Sequence, residues 1–216
     1  IGFCEMILQA PEVYGQLSPT LLGDLEVVLR NSHYLSRLVD DVLDLSQIEA
    51  NKMALTRERA TLSELVEAAV VAARPLFHSK GLYLEVEPLP DVPPLFCDRT
   101  RIRQVLLNLL TNAGRFTEHG GVRLCAWQEG AEVVVSVADT GPGIPAEAAR
   151  SLFQPFRQVD GSLRRRYGGS GLGLSICKSF VEQHGGRIWL QSGEGVGTTV
   201  FFRLPFDPPA PADDGV

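Results

Sequence analysis

Apolar side chains fall in two different rhythms along this chain. Between Leu22 and Leu45 they recur at helical steps, one stripe running through Leu25, Val28, Leu35, Val39 and Val42 and a second through Leu22, Leu29, Leu38 and Leu45. Two neighbouring stripes make the wide apolar face of a bundle helix, rather than the single seam of a two-stranded coil. Ser18-Pro19 supplies a start, a capping hydroxyl followed by proline at the first helical position. From Pro19 to about Met53 such a helix runs about 50 Å at 1.5 Å per residue. The stub IGFCEMILQ reads as the end of a preceding antiparallel helix, joined through PEVYGQLSP.

Beyond Met53 the rhythm changes. Residues 61–79 carry helical spacing, with Pro75 expected to end or kink the helix. Tyr83 to Glu87 alternates like a strand, PLPDVPPL reads as a loop, and residues 99–116 are helical again. VRLCAW and EVVVSVAD are β-branched runs turned around Glu129-Gly130; a helix over 171–184 follows a set of glycines, and RIWLQS and TTVFFRL are two further strands. This mixture predicts an α+β fold: a two-layer sandwich with helices on one face of a largely antiparallel sheet, preceded by a helical hairpin. The division is 1–57 for the hairpin, 58–206 for the sandwich and 207–216 (DPPAPADDGV) for a flexible tail.

Composition narrows the function classes. At 216 residues the chain has room for one to two domains, and 44% hydrophobic with 21% charged residues suits a packed core. Lys plus Arg is 20 against 26 for Asp plus Glu, a net charge of −6, which argues against nonspecific nucleic-acid binding. The excess is concentrated in residues 1–60, with 5 basic and 9 acidic side chains. No run approaches the roughly 20 apolar residues of a membrane span, and no signal peptide is evident. Cys4, Cys97, Cys125 and Cys177 stand far apart and the four histidines lack ligand spacing, so a reducing compartment and no structural zinc are expected. The chain opens on Ile1 without an initiator Met and reads as part of something longer.

Three clusters carry candidate chemistry. In RIRQVLLNLLTNAGRFT, Asn108 and Asn112 are four apart and share a helix face, with Arg115 three residues on. Carboxamide oxygens are hard ligands suited to Mg²⁺ that already carries phosphate and water, although two Asn can equally serve as helix hydrogen-bond partners. In DTGPGIP, Asp139 ends a strand where its carboxylate can accept from an exocyclic amine, and Gly141 and Gly143 let backbone approach a flat ring; a plain Gly-Pro turn is the alternative. In RRRYGGSGLGL, Gly169, Gly171 and Gly173 run into a helix whose bare N–H groups make an anion site, with Arg164 to Arg166 available to phosphate or simply solvated. The spacing is neither a P-loop nor GxGxxG. Between the last two clusters, Phe153 and Phe156 suit core packing or the anchoring of a loop from about Arg157 to Ser170.

In this order, the clusters resemble the ATP-binding catalytic domain of sensor histidine kinases, within the wider Bergerat-fold ATPases. Residues 101–117 look like the N box, 139–145 the first glycine box, 153–158 the F box and 168–174 the second glycine box. HGGRIWLQSGEGVGTTVFF is similar to the closing strand pair, and LSRLVDDVLDLSQIEANKMAL resembles the second helix of the dimerisation and phosphotransfer module. The resemblance implies an enzyme that binds Mg·ATP and passes the γ-phosphate to a histidine, then to an aspartate on a response-regulator receiver domain. Asn112 would hold Mg²⁺ with Asn108 in support, and Asp139 would read the adenine amine. Gly141 and Gly143 would flank the base, Gly169, Gly171 and Gly173 would line the phosphates, and Arg115 would reach phosphate. Ile144, Arg166, Tyr167, Ser170 and Leu172 would complete the ATP-binding residues. Arg115 stands where the family usually has Lys. IGFCEMI resembles the segment that follows the family's acceptor motif, which implies an acceptor histidine just before Ile1; His33, His78, His119 and His184 all lack its context.

The resemblance further implies a homodimer through the helical segment, no nucleic-acid partner, no direct membrane contact by this chain, and a cytoplasmic location with a parent protein that could be anchored in the inner membrane. Two other readings share parts of the pattern. One is a regulatory nucleotide-binding or dimerisation module without kinase activity; the other is a different Bergerat-fold ATPase, which does not account for residues 19–53.

Overall fold

The structure is a computed structural model that describes residues 1–50, 52–149, 151–157 and 170–207. The chain divides into two units, Ile1–Lys52 and Met53–Val216. In the first, α1 (Gly2–Gln9) leads through a 3₁₀ turn (Pro11–Tyr14) into α2 (Pro19–Glu49). Ser18 caps α2 as its position predicts, its Oγ accepting the Leu21 N–H at 3.1 Å. Glu5 and His33, equally far along the chain from Pro19, meet at 3.1 Å, so the two helices run antiparallel. Leu22, Leu29, Leu38 and Leu45 are half-buried, whereas Val28, Leu35, Val39 and Val42 are 46–62% exposed. Among the described residues no helix is long and apolar enough to cross a membrane.

The second unit is built on a five-stranded sheet in the order β2 (Tyr83–Val86), β4 (Gly121–Glu129), β5 (Glu132–Asp139), β7 (Gly197–Pro205), β6 (Arg187–Gly193). Only β2 and β4 are parallel; the other pairs are antiparallel. Register places Leu124, Val137 and Val200 in one row and Val135, Phe202 and Ile188 in the next, all on one face. That face carries the core against α3 (Leu62–Lys80), α4 (Arg99–Phe116) and α6 (Gly173–Gln183); a single turn, α5 (Ala146–Ala149), lies between. On the opposite face Phe201 stacks on Trp189 at 5.3 Å and meets Trp127 edge-on at 6.4 Å.

Helix α4 is the centre of the layer, packed against α3, α6 and strands β4 and β5. Ile102, Val105, Leu106, Leu109, Leu110 and Ala113 are buried along it. Gly114 lets the Phe77 ring of α3 close in, because a Cβ there would stand 2.9 Å from the ring.

Two expectations change. Pro75 does not end α3, which continues to Lys80. Its ring and the Val71 carbonyl that loses a donor both lie on the exposed side, where water can replace the missing hydrogen bond. The helix is held on the other side by Leu65, Val66, Ala69, Val70, Ala73 and Phe77, and by a Thr61–Glu64 capping box. The stretch read as loop also runs into a short strand: β3 (Leu95–Cys97) pairs with β1 (Glu58–Ala60). Three-residue strands are too short to show alternation.

Replacing Leu106 by Ala should therefore cost about 2–5 kcal/mol, as for other fully buried leucines. Urea unfolding followed by tryptophan fluorescence will report this unit, since both tryptophans, Trp127 and Trp189, lie in its sheet.

Candidate functional site

Asn108 and Asn112 lie on α4, both half-buried, above the apolar row that anchors the helix. Phe116 continues the same face one turn further on. Two loop segments reach this face at different heights. Gly173, the first residue of α6, faces the Asn108 carboxamide, and a Cβ on it would lie 3.8 Å away. Gly141 approaches the other end, its Cβ position being 3.4 Å from the Phe116 carbonyl oxygen and 3.5 Å from Thr117 Oγ1. Asn108 and Phe116 are separated by about 12 Å along the axis at 1.5 Å per residue. Asn112 stands midway, one turn from each.

The end of α4 is held by an ammonium group. Lys80 Nζ donates to the carbonyls of Gly114, Arg115 and Thr117 at 2.7, 2.9 and 2.7 Å, satisfying groups that a helix terminus leaves unpaired. Burial lowers the Lys80 pKa, with Glu118 opposing. Arg115 is half-buried in this last turn.

At the end of β5, Asp139 Oδ1 accepts from the Gly141 N–H at 2.9 Å and the Thr198 N–H at 3.2 Å. Both bonds use one oxygen, and among the described residues Oδ2 has no hydrogen bond. Burial raises the carboxyl pKa, and the two N–H groups counter it. Thr140 Oγ1 accepts from Gly121 N and donates to the His119 carbonyl, pinning the turn to β4.

The glycine loop after Asp139 rests on the β6–β7 hairpin. Gly195 N–H donates to the Pro142 carbonyl at 2.7 Å and Ile144 N–H to Ser192 Oγ at 2.8 Å, while Ser192 bonds the Gly197 carbonyl and Thr198 Oγ1. Gly143 is required twice over: its φ is +74°, and a Cβ would run into the Gly193 carbonyl.

The F-box and second glycine segments are bonded to each other. Phe156 N–H donates to the Gly171 carbonyl at 3.0 Å. Phe156 has φ +62° with its ring 66% exposed, an uncommon backbone for an aromatic residue. Ser170 Oγ accepts the Leu172 N–H, Leu172 is buried, and among the described residues no side chain caps the start of α6, an end where helix N–H groups favour an anion.

The structure thus brings together Asn108, Asn112, Asp139, Gly141, Gly143, Ile144, Ser170, Gly171, Leu172 and Gly173, with Arg115 at the end of α4. Arg166, Tyr167 and Gly169 lie outside the described residues, as does most of the loop expected from Arg157 to Ser170. Nothing in the sequence pattern singles out Lys80, Thr140, Ser192 or Thr198. A lysine cap leaves no local signature; Ser192 and Thr198 do flank the glycine-rich turn GEGVG, which marks a hairpin without saying what it supports.

Residues 97–208 match the family described as histidine kinase-, DNA gyrase B-, and HSP90-like ATPase. Over 208 residues the chain is 39% identical to the circadian input-output histidine kinase CikA of Synechococcus elongatus, an alignment that takes in 95% of this chain; the chain spans only 27% of that relative's length. Among solved structures it is similar to full-length ShkA in complex with AMPPNP, with a TM-score of 0.78 and 29% identity, covering 96% of this chain and 42% of that one. It is also similar to histidine kinase ThkA in complex with response regulator protein TrrA, at TM-score 0.66 and 27% identity, covering 95% of this chain and 57% of that one.

If Ser192 supports the glycine loop, Ser192→Ala should weaken the local structure by about 0.5–1.5 kcal/mol, the usual net worth of a hydrogen bond, since both partners are only half-buried. Amide hydrogen exchange at Ile144 should speed up accordingly while exchange in β5 stays unchanged.

Proposed function

This chain belongs to the histidine kinase-, DNA gyrase B- and HSP90-like ATPase family, and from that premise we propose that it holds Mg·ATP and donates its γ-phosphate as the catalytic part of a sensor histidine kinase. The carrying observation is Asp139: two backbone N–H groups hold Oδ1, and Oδ2 has no hydrogen bond among the described residues. A half-buried carboxylate with one committed and one open oxygen is an acceptor for a single amine, as adenine presents. Gly141 and Gly143 allow the ring to lie flat beside it, and the 12 Å or so along α4 supports a polyphosphate end at Gly171, Gly173 and the start of α6.

Asn108 and Asn112 fit a cation that arrives with the nucleotide. Among the described residues, no cluster of three or more His, Cys, Asp or Glu could hold a metal by itself. A cation here must take most of its ligands from phosphate and water, as Mg²⁺ does. Mg²⁺ bound at Asn112, with Asn108 in support, supplies charge neutralisation on the phosphate oxygens. Arg115, together with Gly169 and the Arg166–Tyr167 stretch, completes the phosphate end in this reading. The residues perform little covalent chemistry: they position the nucleotide and stabilise charge.

The helical unit favours the kinase over other members of the family. Val28, Leu35, Val39 and Val42 present an apolar stripe 46–62% exposed, which fits a homodimeric phosphotransfer bundle of which residues 1–57 form part. A response-regulator receiver domain is the proposed next acceptor, in line with the ThkA–TrrA complex.

Calorimetric titration with Mg·ATP tests the reading directly: saturable binding that weakens without Mg²⁺ is expected, and no heat at millimolar nucleotide would overturn it. Asp139→Asn sharpens the test. An Asn can keep its oxygen toward Gly141 and Thr198 but turns an amide donor toward the adenine amine, so affinity should fall by about tenfold to a hundredfold. The nucleotide-free variant should be at least as heat-stable as the wild type. The raised pKa means that ionising Asp139 costs the folded state stability as pH rises, and Asn removes that cost. Incubation with γ-labelled ATP should leave no acid-labile phosphate on His33, His78, His119 or His184.

A further inference from the structure

His184 follows the last residue of α6 and is 1% exposed. Its Nδ1 lies 2.6 Å from the Phe180 carbonyl oxygen, which can only accept, so Nδ1 carries a proton. Its Nε2 accepts the Asp98 N–H at 2.9 Å, so that nitrogen is bare. Only the neutral Nδ1–H tautomer satisfies both contacts; a doubly protonated ring would set an N–H against the N–H of Asp98.

Asp98 is the junction of three segments. Its Oδ1 caps α4 by accepting the Arg101 N–H at 3.1 Å, and its Oδ2 accepts the Thr56 N–H at 3.0 Å from the segment leading into β1. Its own N–H goes to His184. From that same leading segment Arg57 donates to the Gln183 carbonyl at 2.8 Å. The end of α6 is therefore tied to the start of α4 and to the incoming chain at one place.

The far end of this helix pair is the candidate nucleotide site. α6 runs from Gly173, beside Asn108, to His184, beside Asp98. The two helices are antiparallel and matched along about 15 Å at 1.5 Å per residue. Because each helix is stiff along its axis, the tie at His184 sets the height at which Gly173 meets Asn108.

We propose that His184 is a positioning residue: its neutral imidazole locks the start of α4 to the end of α6, setting Asn108 opposite Gly173, and protonation of the ring releases the lock. The inference rests on the nucleotide-binding reading of that site. The charged groups facing the ring are Arg57 from the leading segment and the Asp98 carboxylate from the cap of α4. Arg101, one turn into α4, lies over the Phe180 ring at 4.9 Å instead. Burial lowers the His184 pKa and Arg57 adds to it, against the Phe180 carbonyl and Asp98. As pH falls below about 6.5, the unfolded chain takes up the proton first, so the lock's contribution to stability is present above that value and is lost in acid.

Two substitutions separate the ring's contacts. His184→Gln can keep an acceptor for the Asp98 N–H at any pH, while His184→Asn can keep only the donor to Phe180. In calorimetric titrations of the full chain with Mg·AMPPNP at pH 7.5 and at a pH below the midpoint of the His184 ring titration, read from its own imidazole resonances, the wild type should lose about tenfold more affinity on acidification than His184→Gln, and His184→Asn should bind weakly at both. Parallel pH profiles for wild type and His184→Gln, wild-type binding by His184→Asn, or a ring that stays neutral until the chain unfolds would overturn the proposal. In the nucleotide-free chain, the side-chain amide resonances of Asn108 should move across that same midpoint in the wild type and hold still in His184→Gln; resonances that do not move in the wild type also overturn it. A wild type that shows moving Asn108 resonances but no nucleotide binding defeats the functional reading and leaves the lock standing.

Discussion

A helix packed between two others and a sheet has terminal N–H and C=O groups that water reaches only in part, so other groups of the protein must bond them. α4 is that helix here, and both ends are satisfied from other elements. At its start the Asp98 carboxylate caps Arg101 N–H while the Asp98 N–H goes to His184. At its end Lys80 spends three donors on three carbonyls. A fully buried apolar row lets the helix slide at little cost in area, since one leucine can take another's place. The polar ends do not slide, because each bond is directional and stranding one buried partner costs about 1–3 kcal/mol. The position of Asn108 and Asn112 is thus set by contacts at Asp98, ten residues before Asn108, and at Gly114 to Thr117, two to five residues after Asn112, and the site inherits its precision from the caps.

The loops around α4 obey a different rule. Backbone crowding fixes two of their glycines: a Cβ on Gly143 would run into the Gly193 carbonyl, and one on Gly171 would stand 3.0 Å from the Phe156–Arg157 backbone. Close approach costs entropy in the unfolded state and offers no side-chain packing in return, so these segments need outside support. The β6–β7 hairpin provides it through Ser192, Gly195 and Thr198. A glycine loop that rests on a hairpin from the far end of the sequence makes the site a product of the whole sheet.

The elements long enough to express a period are legible in the sequence alone: α2, α4 and the β4–β5 and β6–β7 hairpins follow from apolar spacing and glycine punctuation. The shared helix face of the candidate residues Asn108 and Asn112 is legible too, because they are four apart on a helix whose other face is plainly apolar. What is not legible depends on distant partners. Pro75 inside α3 is tolerated because the buried side of that helix outweighs one lost bond on the wet side, and only burial reveals which side is which. The β1–β3 pair is three residues long and exists through its partner. Taken by their neighbours in sequence, Lys80 and His184 are a surface charge and a turn residue; their roles come from Gly114, Arg115, Thr117 and Asp98, up to 86 positions away. Local chemistry writes itself into sequence, and long-range polar ties do not.

Two titratable groups, half-buried Asp139 and buried His184, pull on stability in opposite directions. Asp139 has a raised pKa, so holding it ionised costs the fold stability as pH rises. His184 has a lowered pKa, so its neutral form stabilises the fold at neutral pH and that support is lost in acid. The proposed function asks the same of both: Asp139 ionised to accept an amine, and His184 bare at Nε2 to hold Asp98. Both conditions are met on the alkaline side of their two pKa values. There the carboxylate weakens the fold and the imidazole strengthens it. A charge acceptor held partly out of water strains the fold around it, and the neutral histidine at the far end of α6 offsets part of that strain.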